Sequence, residues 1–533
     1  MLQVQDVSVL FPDKKLFDDV NLVFNEGFCY GIIGANGAGK STFLKILSGE
    51  KEPTTGSVSK GKDQRMSKLN QDHYAFEEYT VLDTVIMGNR ALYEIREEKD
   101  ALYAKADFSD EDGIRAGELE GQFAEMGGYE AEADAGYLLQ GLGITTDLHY
   151  QTMNLLTEAE KVKVLLAQAL FGSPDILLLD EPTNGLDVRA VLWLQDFLST
   201  FPGIVIIVSH DRYFLNEVCT HMVDIDFEKV RMVTGNYDFW YESSQLAARL
   251  LKEQNRKKEE KIKELEEFIR RFSANKSKSK QATSRKKLLD KIDLTEIKPS
   301  SRRYPFVGFP LSREVGNEIL NIEGLSLTVE GEVLIKDLSM RVNKNDKIAF
   351  IGNERAITQL FEVLGQGLEA QEGRYSWGQT ITTAYFPKDN ASYFDGNEKN
   401  LIDWLRDFSE EQSEIAMRGL LGRMLFSGDE ALKKANVLSG GERVRMMFSK
   451  MMTSPMNVLI MDQPTNHLDL ESIEAVNKGL VDFKGNVLFT SQDHQFISSI
   501  ANRIVDIFDD GSYRDVSMDF DSYIERYISG ESQ

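Results

Sequence analysis

Three sequence elements occur in the same order in both halves of this 533-residue chain. A strand runs into a glycine at Tyr30–Gly34 and again at Ala349–Gly352. An apolar strand then ends in Asp-X-Pro-Thr-Asn, from Ile176 to Asn184 and from Val458 to Asn466. A second apolar strand ends in Ser-X-Asp, from Ile204 to Asp211 and from Val487 to Asp493. Duplication on this scale restricts the chain to two similar domains. Short apolar strands alternating with helical patterns predict mostly parallel α/β sheets. Each half also opens on alternating sequence, such as Leu2-Gln3-Val4-Gln5-Asp6-Val7, which predicts an antiparallel β subdomain ahead of each core.

The halves differ at the glycine loop. In the first, Gly34-Ala35-Asn36-Gly37-Ala38-Gly39-Lys40-Ser41-Thr42 matches the P-loop pattern in full, with strand before it and a helical Phe43-Leu44-Lys45-Ile46-Leu47 after it. Gly34, Gly37 and Gly39 let backbone N–H groups close around phosphates, with Asn36 and Thr42 in the same turn. Lys40 brings a positive charge to the β/γ-phosphates and Ser41 a hydroxyl for Mg²⁺. The run Ile176–Leu179 delivers Asp180 and Glu181 to a strand end, where Asp180 would hold Mg²⁺ through water and Glu181 would orient or deprotonate the attacking water. His210 is placed to sense a γ-phosphate, Gln71 to touch Mg²⁺ and water, and Phe11 to stack on adenine, although any one of these alone reads equally well as a structural residue. The second half supplies Leu438-Ser439-Gly440-Gly441-Glu442 ahead of a helical Arg443-Val444-Arg445-Met446-Met447. Ser439, Gly440 and Gly441 have the form of an anion site at a helix N-terminus, a weak signal on its own.

Taken in order, Gly34–Thr42, Gln71, Leu438–Glu442, Asp180-Glu181, Leu186-Asp187 and His210 resemble an ATP-binding cassette. Two cassettes and a charged helical segment between them resemble the ABC-F family of ribosome-associated ATPases, which also matches Gly235–Phe239, Phe272–Asn275 and Gln281–Arg285. The resemblance implies an α/β fold of two P-loop cassettes, each with an antiparallel β subdomain, joined by a helical hairpin. The expected domains are 1–245, with a short acidic helical arm at about 91–126, then a basic linker over 246–305, and 306–533. It also implies ATP and Mg²⁺ as ligands, with each ATP held between the loop of one half and the Leu-Ser-Gly-Gly segment of the other.

By that tally one composite site is whole. It joins Lys40, Ser41, Gln71, Asp180, Glu181 and His210 with Ser439, Gly440 and Gly441. The other is expected to be degenerate on both faces. In the loop 352–360, Thr358 stands for the lysine and Gln359 for the serine; Lys388, Gln463 and Gln492 replace glutamine, base and histidine, and Val329 aligns with Phe11. On the opposing face Glu158 and Ala159 replace both glycines. A carboxylate about 4 Å from a γ-phosphate costs on the order of 4 kcal/mol at an effective dielectric of 20. One hydrolytic site and one hydrolysis-deficient site are therefore expected.

Charge places the second function. The chain carries a net −25, yet residues 252–303 hold 18 Lys and Arg against nine Asp and Glu, a net of +9 that leaves −34 for the remainder. Arg270, Arg271, Lys276, Lys278, Lys280, Arg285, Lys286 and Lys287 fall in a stretch with no acidic residue, suited to neutralising RNA phosphates. The bland alternative is a solvated helix face. The family resemblance implies a ribosomal partner, with rRNA and tRNA contacted near the tRNA-exit site, and a monomer whose cassettes pair within one chain. The opening Met1–Gln5 carries no secretory pattern, no apolar run approaches a bilayer span, and Cys29 and Cys219 imply no disulfide framework, so a cytoplasmic protein is expected. Two rival readings remain at this level: the ATPase subunit of a membrane transporter, and a nucleotide-gated DNA-binding or repair scaffold.

Overall fold

The computed structural model describes residues 1–11, 14–70, 72, 74–272, 302–316 and 318–528. Each half builds one six-stranded sheet and one three-stranded antiparallel sheet. In the first, Cys29–Gly34 lies between Ile204–Val208 and His221–Asp226, with Ile176–Asp180 and Met66–Lys68 beyond on one side and Lys229–Thr234 on the other. All neighbours are parallel except the last, which returns antiparallel. The second half repeats the order, with Lys347–Gly352 between Asn486–Thr490 and Arg503–Ile507.

Strand periodicity of two divides the core into layers. Leu177, Leu179, Val205 and Ile207 pack under the helices. Their neighbours Ile176, Leu178, Ile204 and Ile206 face the antiparallel sheet through Leu2, Val4 and Phe17. Strands buried on both faces explain why these runs are continuously apolar. The acidic insertion forms two helices, Arg90–Tyr103 and Asp110–Glu125; Ser109 caps the second, accepting from the amide of Asp112.

The helix that leaves the first cassette runs from Tyr237 to Phe272, so it crosses the boundary expected at 245/246. Its start is set inside the cassette. Gly235 turns the chain at φ 127°, the Asn236 side chain accepts from the amide of Phe239, and Tyr237 and Trp240 are buried. Arg270 and Arg271 fall in its last turn. Lys276, Lys278, Lys280, Arg285, Lys286 and Lys287, and with them the expected hairpin tip and second limb, lie outside the described residues.

The second glycine loop departs most from expectation. No loop spans 352–360. The strand Lys347–Gly352 passes at once into a helix, Glu354–Gln366, capped by Asn353, whose side chain accepts from the amide of Ala356. In the first half the helix begins only at Lys40, because Gly37 and Gly39 hold left-handed conformations at φ 73° and 107°. Arg355 and Ile357 stand at those places, and side chains there favour the helical conformation. Thr358 and Gln359 are thus helical residues rather than remnants of a phosphate loop.

Candidate active site

Lys40 is the first residue of the helix Lys40–Leu47 and is only 8% exposed. Its Nζ donates to the carbonyl of Gly34 at 2.8 Å. Burial lowers its pKa, opposed by the nearby carboxylates of Glu181, Glu471, Asp469 and Asp180. The acids keep this poorly solvated lysine charged, and its ammonium is the positive group that the P-loop brings to the cavity.

Glu181 follows the strand Ile176–Asp180 in a left-handed conformation, φ 53°. For a non-glycine residue this is a strained setting, held here by bonds on both sides. Its amide donates to Val208 O at 2.8 Å, and its Oε2 accepts from the amide of His210 at 3.1 Å. Burial pushes its carboxyl up to about 8. The imidazole Nε2 of His210 stands 3.5 Å from Glu181 Oε1. Burial, reinforced by Lys40, holds His210 down to about 3, so the ring is neutral near pH 7. Its Nδ1 is buried and has no hydrogen-bond partner among the described residues.

These groups line a cavity of about 500 Å³ whose opposite wall comes from the other cassette. Asn36, Gly37, Gly39, Lys40, Ser41, Thr42, Asp180, Glu181 and His210 face Gly440, Gly441 and the stretch Thr465–Leu468 across it. Gly440 and Gly441 open the helix Gly440–Met451, which Ser439 caps by accepting from the amide of Glu442. A Cβ on Gly441 would come within 2.7 Å of His467 O, and one on Gly440 within 3.4 Å of the His467 ring. Gly441 is therefore required by its own cassette, whereas a Cβ at Gly440 would meet only ordinary contact there. Ser41 and Asp180 present a hydroxyl and a carboxylate to the same space, an oxygen donor set that fits Mg²⁺.

Not every expected residue joins this wall. Gly34 supplies a carbonyl to Lys40 but does not line the cavity, and Ser439 acts through its cap. Phe11 is exposed outside it, with Lys51 Nζ 4.2 Å from the ring centroid. Gln71 lies outside the described residues. Thr465 and Asn466, the last two residues of the second Asp-X-Pro-Thr-Asn motif, and His467 directly after it were not assigned to this wall, although the motif itself carried the first two.

Three residues of the expected second site, Lys388, Gln463 and Gln492, converge on a carboxylate of the protein itself. Glu354 Oε1 accepts from Gln492 Nε2 at 2.6 Å and from Gln463 Nε2 at 3.3 Å, and Oε2 pairs with Lys388 Nζ at 2.9 Å. Gln463 keeps the left-handed backbone of its counterpart Glu181, at φ 50°. Gln492 also reaches the other cassette, its Oε1 accepting from Gly185 N at 3.1 Å, and it closes one end of the first cavity. Thr358 lies beside Asp462, whose carboxyl burial pushes up to about 6. On the opposing face Glu158 opens a helix capped by Thr157, and its Oε1 accepts from Tyr74 Oη at 3.2 Å.

The sequence profile of the family described as ABC transporter matches residues 17–184 and 335–466, and a second profile of the same description matches 223–309. The chain is 60% identical over 527 residues to the ABC transporter ATP-binding protein YkpA of Bacillus subtilis (strain 168), covering 98% of this chain and 97% of that one. It is 28% identical to ABC transporter F family member 5 of Arabidopsis thaliana, over 100% of this chain and 78% of that protein. Among solved structures, an archaeal ribosome recycling factor in complex with a ribosomal stalk protein shares the fold at a TM-score of 0.63 and 16% identity, covering 98% and 92% of the two chains.

Proposed function

This chain belongs to the ABC transporter family of ATP-binding cassette proteins, in its ABC-F branch, and from that premise we propose that it is a ribosome-binding translation factor driven by one ATP site. The observation that carries the reading is the shared cavity. Lys40, Glu181 and His210 of one cassette face Gly440 and Gly441 of the other. A ligand bridging that gap is held more tightly when the cassettes are together, so ATP binding favours closure.

In this reading Lys40 and the amides after Gly37 hold the phosphates, and the first-turn amides at Gly440 and Gly441 approach them from the far side. Ser41 and Asp180 would hold Mg²⁺, which would supply charge to neutralise the phosphates. Glu181 takes the proton of the attacking water, and neutral His210 orients that carboxylate. Loss of the γ-phosphate removes the group that joins the walls, and the cassettes part. The second site does not hydrolyse ATP, since Gln463 has no basic carboxylate and Lys388 and Gln492 are engaged by Glu354.

The ribosomal partner rests on the basic run between the cassettes and on the fold shared with a ribosome recycling factor. A transporter role draws no support from the helices, as none of the described ones is long and apolar enough to cross a membrane. Sedimentation tests the proposal. Glu181→Gln protein should travel with ribosomes in ATP, and reversal of Arg285 and Lys286 to glutamate should release it. Failure of the Glu181→Gln protein to sediment with ribosomes in ATP would remove the ribosomal assignment, and enrichment on branched DNA instead would favour the repair reading.

A further inference from the structure

The duplication makes the two seams between the cassettes direct controls for one another. Arg189 is the second residue of the helix Val188–Ser199, which Asp187 caps. Its guanidinium crosses to the other cassette and meets the buried carboxylate of Asp506 at 3.2 Å. In the companion cassette the matching helix is Leu470–Asp482, capped by Asp469, and its second residue is Glu471. The strand residue that matches Asp506 is Asp224: Ile351 pairs with Asp506 in one sheet as Ile33 pairs with Asp224 in the other. One seam thus joins arginine to aspartate. The other, on the side of Lys40 and Gly441, sets glutamate against aspartate.

Arg302 occupies the space between those two acids. Its Nη2 lies 2.5 Å from Asp224 Oδ1 and its Nε 3.1 Å from Glu471 Oε1, with Asp226 Oδ2 at 4.0 Å. The guanidinium carbon sits 4.7 Å from the ring centroid of Trp240, in the helix that leaves the first cassette. Arg302 comes from the segment connecting the cassettes and belongs to the core of neither. The side chain of Asp224 is 18% exposed and that of Glu471 7%, so water screens the two carboxylates poorly. Nearby Arg212, two residues after His210, crosses the same seam to Glu474 at 2.5 Å and stacks over Tyr237 and Tyr241 at the root of that helix.

We infer that Arg302 is a detachable bridge: the nucleotide seam closes only with the connecting segment seated, because without this guanidinium Asp224 and Glu471 repel one another. The inference rests on the reading that ATP closes this seam. Linkage makes the effect reciprocal: whatever draws the connecting segment from its seat opens the ATP site, and ATP bound there holds the segment down. The opposite seam carries its own arginine and is indifferent to the connecting segment.

Spin-label distances on the full chain test this, with Cys29 and Cys219 replaced by alanine. One label pair, Lys229→Cys and Lys478→Cys, spans the nucleotide seam. The other, Asp196→Cys and Asp510→Cys, spans the opposite one. In MgATP, Arg302→Ala should lengthen the first distance relative to the parent protein and leave the second unchanged. Adding Glu471→Arg to that variant copies the Arg189–Asp506 arrangement and should restore the first distance. An unchanged first distance in Arg302→Ala, a joint change of both distances, or no rescue by Glu471→Arg overturns the inference. Whether ATP shortens the first distance in the parent protein is read separately and decides the closure reading alone.

Discussion

Gln492 donates to Glu354 at 2.6 Å while accepting from Gly185 of the opposite cassette. The position that mirrors His210 therefore binds a carboxylate built into the chain while also reaching across the seam. Lys388 and Gln463 bind the same carboxylate. The second pocket carries its own anion, and the seam on that side is joined without nucleotide.

One nucleotide per chain follows. Equilibrium dialysis of the Glu181→Gln protein with MgATP should give one bound ATP, and Lys40→Ala none. A full equivalent retained by Lys40→Ala would place nucleotide at the Glu354 pocket and refute the internal occupancy.

Replacing Glu181 by glutamine removes the proton acceptor while keeping the shape of the site. Single-turnover hydrolysis should fall by about 10²–10⁴-fold, with ATP still bound. A fall of less than about tenfold would mean that another site turns over.

The carboxyl of Glu181, raised to about 8, sets a pH limb. The base works only when ionised, so kcat/KM should rise from pH 6 to 9 with a midpoint near 8, and His210, held neutral, adds no limb in that range. Stability runs the other way. Between the ordinary carboxylate range and about 8 the folded chain keeps a proton that the unfolded chain has released, so this group's contribution declines as pH rises through that window. A flat kcat/KM profile would exclude Glu181 as the base.

Gly441→Ala puts a methyl within 2.7 Å of His467 O. Relief of that overlap costs about 1–3 kcal/mol. Both residues belong to the second cassette, so the cost falls on that cassette's own packing: Tm should drop with or without ATP, and turnover with it, and an unchanged Tm would show that His467 yields without strain. The matching change Ala159→Gly at the opposing face should leave turnover unaltered.

Ribosome affinity should depend steeply on salt if the basic run meets RNA backbone. Each lost phosphate contact lowers the log–log slope by about 0.7–0.9, so reversal of Arg285 and Lys286 should flatten it measurably. An unaltered slope would assign those charges to solvent.

The first site was legible because its chemistry needs glycines at fixed spacing and carboxylates at strand ends, and both leave marks that composition cannot hide. Lys40, Asp180, Glu181 and Gly440 fell where those marks put them. The fate of the second loop was not legible, since losing glycine says only that a nest is gone, whereas the helix that replaces it depends on Asn353 as a cap. Glu354 was one carboxylate among many. Arg302 was one cation in a basic run, and only the duplicated seam, with arginine at 189 and glutamate at 471, singles it out. The root of the long helix was missed for a related reason: Tyr237 and Trp240 carry it into the cassette by tertiary burial, which periodicity does not register.

The helix Tyr237–Phe272, 36 residues in length, extends about 54 Å at the usual rise. Anchored in the first cassette by its aromatic root, it multiplies small rotations: about 5° at Trp240 sweeps its far end through roughly 4 Å. In the proposed cycle, a modest rearrangement around one phosphate group would reach the far end of this helix several-fold enlarged.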